Sequence, residues 1–329
     1  MYFIKPTFWD KKNNSILSVI LYPFSIIYYL VSIIKQKTSI TRKFNIPIIC
    51  VGNIYIGGTG KTSTAIEIAK ILNKFKKICF LTKGYGRENN NDIYLNETNI
   101  PNLNIDDTGD EPILLNKFGH VYISNNRVRA INKIIKLGYD AVILDDGFQD
   151  FRIHKDLNII CFDAINWLGN NNLIPSGPLR EPLTSIKKAD FVILKGEKNQ
   201  IIEKEIQKIS TKINIIYSEN KIENINNLLN KNFIAFTGIG NPKSFFSILN
   251  KSNIKIIKQI IYPDHYQFTQ KNYENLFLEA EKNKCELITT EKDYVRINNH
   301  FKEKIYYTNL NTSLIKKESL ENKLKELFK

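Results

Sequence analysis

Six consecutive residues, Gly57-Gly58-Thr59-Gly60-Lys61-Thr62, carry the first chemistry legible in this chain of 329 residues. Glycines let backbone N–H groups crowd around phosphate oxygens. A lysine beside them supplies a point charge to the β- and γ-phosphates, and the next threonine hydroxyl is placed to bind Mg²⁺. Such a loop works only between a buried strand and a helix N-terminus. The apolar, β-branched run Ile48-Ile49-Cys50-Val51 supplies the strand, and Ile66, Ile68, Ala69, Ile71 and Leu72 give the helix its apolar side. A strict form of the pattern has glycine at position 55, where this chain has Tyr55. The expectation is an ATP site.

A carboxylate at a neighbouring strand tip is the usual complement of such a loop, because it holds the metal that travels with the nucleotide. Ala141-Val142-Ile143-Leu144-Asp145-Asp146 has that form, four apolar residues ending in two acids. Asp110 and Glu111 follow Thr108-Gly109 at the mouth of a helix through Ile113, Leu114 and Leu115. Acids there serve equally well as caps. Lys83-Gly84-Tyr85-Gly86-Arg87 sets a tyrosine and two cations around glycines, which suits a loop approaching a phosphate or sugar. Pro175 to Pro182 is a rigid turn carrying Arg180 and Glu181. Tyr262 to Phe268 carries His265, one of only four histidines, and Thr290-Glu291-Lys292-Asp293 reads as a helix cap.

Elements that position these residues follow from periodicity. Apolar runs at Lys77–Leu81, Val121–Ile123, Ile159–Phe162 and Phe191–Leu194 alternate with helical stretches, including a basic one over Arg127–Lys136. That alternation predicts an α/β fold: a P-loop, doubly wound, mainly parallel sheet. Asn89 to Asp107 is polar and reads as a surface excursion. From Tyr217 to Asn230 the chain is polar again and reads as a linker. A second, smaller α/β unit follows, with strands at Phe233–Phe236, Ile254–Ile261 and Glu286–Thr289 and a helix through Phe245, Phe246 and Leu249. Leu320, Leu324, Leu327 and Phe328 mark a closing amphipathic helix. The expected division is 1–40, 41–220 and 221–329.

The first of these segments is unlike the rest. Ile16 to Ile34 carries no charge and is about as long as a bilayer is thick. Ser18, Tyr22, Ser25, Tyr29 and Ser32 recur at helical spacing as one polar stripe, and Pro23 would start or kink the helix. No small-residue cleavage site follows, so a removed signal peptide is not expected. The pattern favours a helix lying in a membrane interface, with a true span or a helix packed on the chain's own core as the other readings. Residues 1–43 hold seven Lys/Arg and one acid, each cation worth about 1 kcal/mol near an anionic surface. Burying around ten large side chains at roughly 1.5–3 kcal/mol each outweighs that.

Composition closes several doors. The chain is 43% hydrophobic and 24% charged, which excludes disorder. A net charge of +14 invites an anionic membrane or a nucleic acid, but no nucleic-acid recognition motif accompanies it, and no nucleic-acid partner is expected. Cys50, Cys79, Cys161 and Cys285 stand alone in apolar runs, as buried reduced thiols of a cytoplasmic protein do. These readings leave three classes open: a lipid kinase, a soluble P-loop kinase for a small metabolite, and a membrane-associated P-loop ATPase.

The ordered set VGNIYIGGTGKT, KGYGR, TGDEP, LDDGFQ, SGPLREP, TGIGNP, YPDHYQF and TTEKD resembles the tetraacyldisaccharide 4′-kinases of lipid A biosynthesis, from about Asn45 to Arg296. The resemblance implies transfer of the ATP γ-phosphate to the 4′-hydroxyl of a membrane-embedded acylated glucosamine disaccharide 1-phosphate, with Mg²⁺ required. It places the protein on the cytoplasmic face of a Gram-negative inner membrane. It implies that Gly57 to Thr62 bind nucleotide and that Thr62, Glu111, Asp145 and Asp146 surround the metal. Asp110 matches the family's catalytic base, His265 the histidine paired with it, and Lys61 the catalytic lysine; Tyr85, Arg87, Arg180 and Glu181 lie on the substrate side. Two positions depart: Lys83 stands where arginine is common, and Asp150 where histidine is common.

Overall fold

Along β1 (Ile48–Gly52) the side chains alternate between two cores, Ile48 and Cys50 on one face of the sheet, Ile49 and Val51 on the other. Burial on both faces is why the run is continuously apolar. The computed structural model describes residues 5–11, 15–87, 90–96 and 105–329. Its first helix, α1 (Ile16–Thr38), precedes β1, and α2 (Lys61–Leu72) follows the glycine loop. Then come β2 (Ile78–Thr82), β3 (Ile93–Leu95), α3 (Ile105–Thr108), α4 (Asp110–Asn116), β4 (His120–Ile123), α5 (Arg127–Lys136), β5 (Ala141–Asp145), β6 (Leu157–Asp163), β7 (Phe191–Lys195), α6 (Gln200–Ile209) and β8 (Asn214–Ile222). The smaller unit contains β9 (Asn232–Thr237), α7 (Pro242–Lys251), β10 (Lys255–Ile261), α8 (Gln270–Lys282), β11 (Glu286–Thr290), α9 (Glu291–Arg296), α10 (Asn299–Lys302) and β12 (Ile305–Thr308). β13 (Leu310–Ile315) and α11 (Glu318–Glu326) end the described chain.

Nine strands form one sheet in the order β13-β8-β7-β6-β1-β5-β2-β4-β3. It is parallel from β8 through β4, and β3 runs antiparallel at the edge. Helices cover both faces, so the doubly wound α/β fold is as expected. After β1 the chain moves to one side of it, and after β5 to the other, which puts the ends of β1 and β5 at the point where the winding reverses. The second sheet has four parallel strands, β10-β9-β11-β12.

Three expectations need correction. Residues 218–222, expected to open a linker, are the second half of strand β8; exposed and buried residues alternate along the strand, and its polar half hid the pattern. The compact units are 6–219 with 314–329, and 220–313, so α11 does not belong to the smaller unit. Leu314, Leu320 and Leu324 join the same core as Ile71, Phe191 and Ile216. Within the expected excursion, residues 89 and 97–104 lie outside the described residues, and 93–95 form β3. Cys50, Cys79 and Cys161 are buried, and burial pushes the Cys50 thiol up to about 11; Cys285 is only half-buried.

Helix α1 is one continuous element with Pro23 inside it, capped by Ser15, whose side chain accepts from the Ser18 N–H. Its inward stripe is not quite the one the sequence suggested. Ser18 and Ser25 are buried and Tyr28 half-buried, whereas Tyr22 and Tyr29 face outward with Ile20, Phe24, Ile27 and Val31. The apolar side of the helix is the exposed side.

Candidate active site

The glycine loop is shaped by its own side chains as much as by its glycines. Gly60 caps α2 at φ 86°, a left-handed conformation natural to glycine, and Gly57 is at φ 141°. Tyr55 keeps an ordinary negative φ, so glycine is not needed there. Its buried ring instead ties the loop down: the hydroxyl donates to Asp10 Oδ1 at 3.0 Å. Asn53, fully buried, donates through Nδ2 to the Tyr55 carbonyl at 2.6 Å and to Thr59 Oγ1 at 3.1 Å. The first backbone N–H groups of the 12-residue helix α2 have no helical acceptor by geometry, as a phosphate site at a helix N-terminus requires.

Register brings the carboxylates alongside. Val51 sits opposite Asp145 across the β1–β5 pair. Thr62 Oγ1 donates to Asp145 Oδ2 at 3.3 Å. These are two hard oxygens, and Mg²⁺ needs only one or two protein ligands beside water and phosphate, so the donor chemistry fits that ion. Asp146 is engaged differently. Arg180 Nη1 donates to both its oxygens, at 2.8 and 3.0 Å, and Lys61 Nζ lies 3.9 Å from Oδ1. Desolvation opposes ionisation of Asp146, but Lys61 and Arg180 overcome it and hold the carboxyl well below the usual range. Its backbone is left-handed, φ 56°, and is braced by buried Arg127, whose Nη2 donates to the Asp145 and Asp146 carbonyls, both at 3.0 Å. In the sequence Arg127 stands out only as the first residue of a basic helix; one buried arginine in a basic run leaves no distinguishing signal.

Of the remaining expected residues, Glu181 turns away from Arg180. It is buried and accepts from Gln149 Nε2 at 3.1 Å, with Lys188 at 3.4 Å. Asp150 is gripped by Arg152 at 2.9 and 2.8 Å and lies 3.8 Å from Arg127. Desolvation raises and the Arg152 fork lowers its pKa; the fork wins, with Arg127 adding to it. A depressed carboxylate stabilises the fold above its unfolded pKa and loses that contribution as pH falls through the folded value. Asp150→Asn should therefore cost about 1–3 kcal/mol at pH 7, the worth of charge-assisted hydrogen bonds, and much less at pH 3. Urea unfolding at the two pH values checks it, and a pH-independent cost would refute the assignment. Lys83 is pushed below the ordinary lysine range by desolvation and then by Arg127, which ties it electrically to the same cluster.

Two motifs are joined by close backbone approach. Gly84 takes φ 67°, and a Cβ there would meet the Thr108 carbonyl at 2.6 Å; a Cβ on Gly109 would meet the Tyr85 carbonyl at 2.6 Å. The KGYGR loop and the entrance to α4 are thus one junction. Asp110, 2% exposed, and Glu111 open α4, which packs against α2 and β4. Tyr85 is 65% exposed beside them, and Arg87 Nη1 donates to the Asn91 carbonyl at 2.6 Å.

In the smaller unit, His265 sits at φ 58° and its N–H donates to the Gly238 carbonyl at 3.0 Å. That turn is organised by Asp293, which is fully buried. It accepts from Thr237 Oγ1 at 2.6 Å, the Gly238 N–H at 3.0 Å and Thr290 Oγ1 at 2.7 Å, and pairs with Arg296 at 2.8 Å. Arg296 also donates to the Gly238 and Tyr266 carbonyls, at 3.1 and 3.3 Å. The sequence signalled Asp293 only as part of a cap, which it is; its second role depends on residues 55 and 56 positions earlier. Asp110 and His265 belong to different compact units.

Comparison with known proteins agrees along most of the chain. Residues 17–329 match the profile of the tetraacyldisaccharide-1-P 4′-kinase family. A tetraacyldisaccharide 4′-kinase of Pelagibacter ubique is 39% identical over 327 residues, covering 98% of both chains. One from Rickettsia canadensis is 37% identical over 296 residues, 88% of this chain and 87% of that one. Among solved structures, LpxK from Aquifex aeolicus in complex with ATP superimposes with a TM-score of 0.75 at 28% identity, covering 95% of this chain and all of that one.

Proposed function

Because the chain belongs to the tetraacyldisaccharide-1-P 4′-kinase family, we propose that the site described above performs that family's reaction. The γ-phosphate of ATP passes to the 4′-hydroxyl of a tetraacylated glucosamine disaccharide 1-phosphate, a late step of lipid A biosynthesis. The observation that carries this reading is the meeting of Lys61, Thr62, Asp145, Asp146 and Arg180 beside the ends of β1 and β5.

Lys61 offsets charge on the β- and γ-phosphates, and the backbone N–H groups around Gly57 to Thr62 cradle them. Mg²⁺, held by Thr62 and Asp145, supplies charge neutralisation on the transferring phosphoryl group when bound. Asp146 is occupied in aiming Lys61 and Arg180, two cations that a dianionic acceptor also attracts. Asp110 takes the proton of the attacking hydroxyl as the new O–P bond forms and the bond from the γ-phosphorus to the β–γ bridging oxygen breaks. The family resemblance assigns the orientation of this base to His265. Tyr85, Arg87 and Arg180 contact the disaccharide side, with Glu181 holding the Arg180 loop in place, and Glu111, next to the base, would add a carboxylate to the metal's surroundings.

The exposed face of α1 supports the rest. Ile16, Leu17, Ile20, Phe24, Ile27, Leu30, Val31 and Ile34 are all exposed on one 23-residue helix. Such a face belongs in the interface of an anionic membrane, the cytoplasmic face of a Gram-negative inner membrane, where the acylated acceptor resides. A small-metabolite kinase has no use for it. The deciding experiment incubates the protein with γ-labelled ATP, Mg²⁺ and a bacterial lipid extract. Label should enter one acylated disaccharide; release as inorganic phosphate alone would indicate an ATPase. Removing the metal with EDTA should cut transfer at least ~10²-fold, restored by added Mg²⁺, consistent with the several kcal/mol a bound metal contributes.

A further inference from the structure

An anchor needs no polar contacts with the body it anchors, yet α1 is sewn to one loop by buried hydrogen bonds. Ser18 and Ser25 are two helical turns apart, on the inward stripe. Ser18 Oγ donates to the Ser176 carbonyl at 2.8 Å and accepts the side-chain amides of Asn170 and Asn172 at 3.1 and 3.0 Å. Ser176 Oγ donates back to the Ser18 carbonyl at 2.7 Å. Ser25 Oγ donates to the Leu173 carbonyl at 2.8 Å and accepts the Ser176 N–H at 3.0 Å. One turn further on, the Tyr28 hydroxyl donates to the Arg180 carbonyl at 3.1 Å.

The other side of this loop is bound to the nucleotide loop. The Arg180 N–H donates to the Ile54 carbonyl at 2.7 Å, the Ile56 N–H donates to the Pro178 carbonyl at 2.8 Å, and the Arg180 guanidinium grips Asp146. Residues 173–180 are therefore held between the helix and the entrance to the phosphate site. We propose that Ser18, Ser25 and Tyr28 are positioning residues for phosphoryl transfer: the inner stripe of α1 fixes the Arg180 backbone, and through it the hold on Asp146, while the outer face serves the membrane. This rests on reading Arg180 and Asp146 as part of the active site. A ~1 Å displacement of a positioning group costs rate out of proportion to its size.

Two sets of variants separate the faces. Tyr28→Phe and Ser25→Ala alter the seam; Ile20→Ser with Phe24→Ser and Ile27→Ser alters only exposed side chains. Transfer is measured on detergent-dispersed acceptor, and membrane binding by co-sedimentation with anionic phosphatidylglycerol vesicles. The seam variants should lower kcat roughly 3- to 10-fold, the scale of one or two net hydrogen bonds, with the acceptor KM and vesicle binding unchanged. The outer variant should lose vesicle binding and keep its kcat in detergent. Tyr28→Phe should add nothing to Arg180→Ala, since it acts through that residue. Wild-type kcat in both seam variants, or losses that add fully to Arg180→Ala, would overturn the proposal while leaving the active-site reading intact. If Arg180→Ala itself is silent, that reading fails and the proposal falls with it.

Discussion

Lys61→Ala should lower kcat for transfer by about 10²–10³-fold while the protein stays folded. Removing one preorganised charge that faces a developing phosphoryl charge typically costs ~2.7–4 kcal/mol of transition-state stabilisation. Stability should barely change for a structural reason. Lys61 is the first residue of α2, outside the hydrophobic cores, and its only close ionic partner among the described contacts, Asp146, keeps Arg180 at 2.8 Å. The measurements are kcat under saturating ATP and acceptor, and a thermal melt. More than about a tenth of wild-type kcat would limit the lysine to ~1.4 kcal/mol and remove it from the catalytic set.

Asp110→Asn is expected to be as severe, about 10²–10⁴-fold in kcat, because asparagine keeps the shape and cannot accept the proton. The KM for ATP should change little. His265→Ala should cost less, since it disturbs the orientation of the base and leaves it in place. Combining the two tests the pairing directly. Groups acting as one unit give non-additive losses, so the double variant should be scarcely slower than Asp110→Asn. Losses that multiply would mean two independent roles. The local structure around each residue favours such a test: Asp110 is fixed by the Gly84–Gly109 junction, and His265 by the Gly238 turn under Asp293.

What could be read from the sequence was whatever is local. The β-branched run before Gly57, the apolar run before Asp145 and the glycines between strand and helix each announce themselves within a dozen residues, and all lie where expected. Contacts between distant segments left weaker traces. The serine stripe of α1 was visible, but the loop it bonds is about 150 residues away, and nothing in the spacing told Tyr28 from Tyr22 and Tyr29 as the inward tyrosine. Strand β8 was missed because a strand with one solvated side is half polar, and in isolation that is how a linker reads. Tyr55 departs from the expected glycine because its backbone keeps a negative φ, and its bond to distant Asp10 gives the ring a role that no local pattern shows.

The return of residues 314–329 to the larger unit has a consequence for synthesis on the ribosome. The sheet face that buries Ile71, Phe191 and Ile216 is completed by Leu314, Leu320 and Leu324. When Ile216 leaves the exit tunnel, those leucines are still untranslated, and at roughly 5–20 residues per second the intervening 220–313 stretch takes about 5–20 s to make. For that interval the nascent larger unit carries an open apolar face, the surface on which chaperones act. The smaller unit, whose cores are built entirely within 220–313, has no such wait. Although it is made second, it closes its cores before that face of the larger unit is covered.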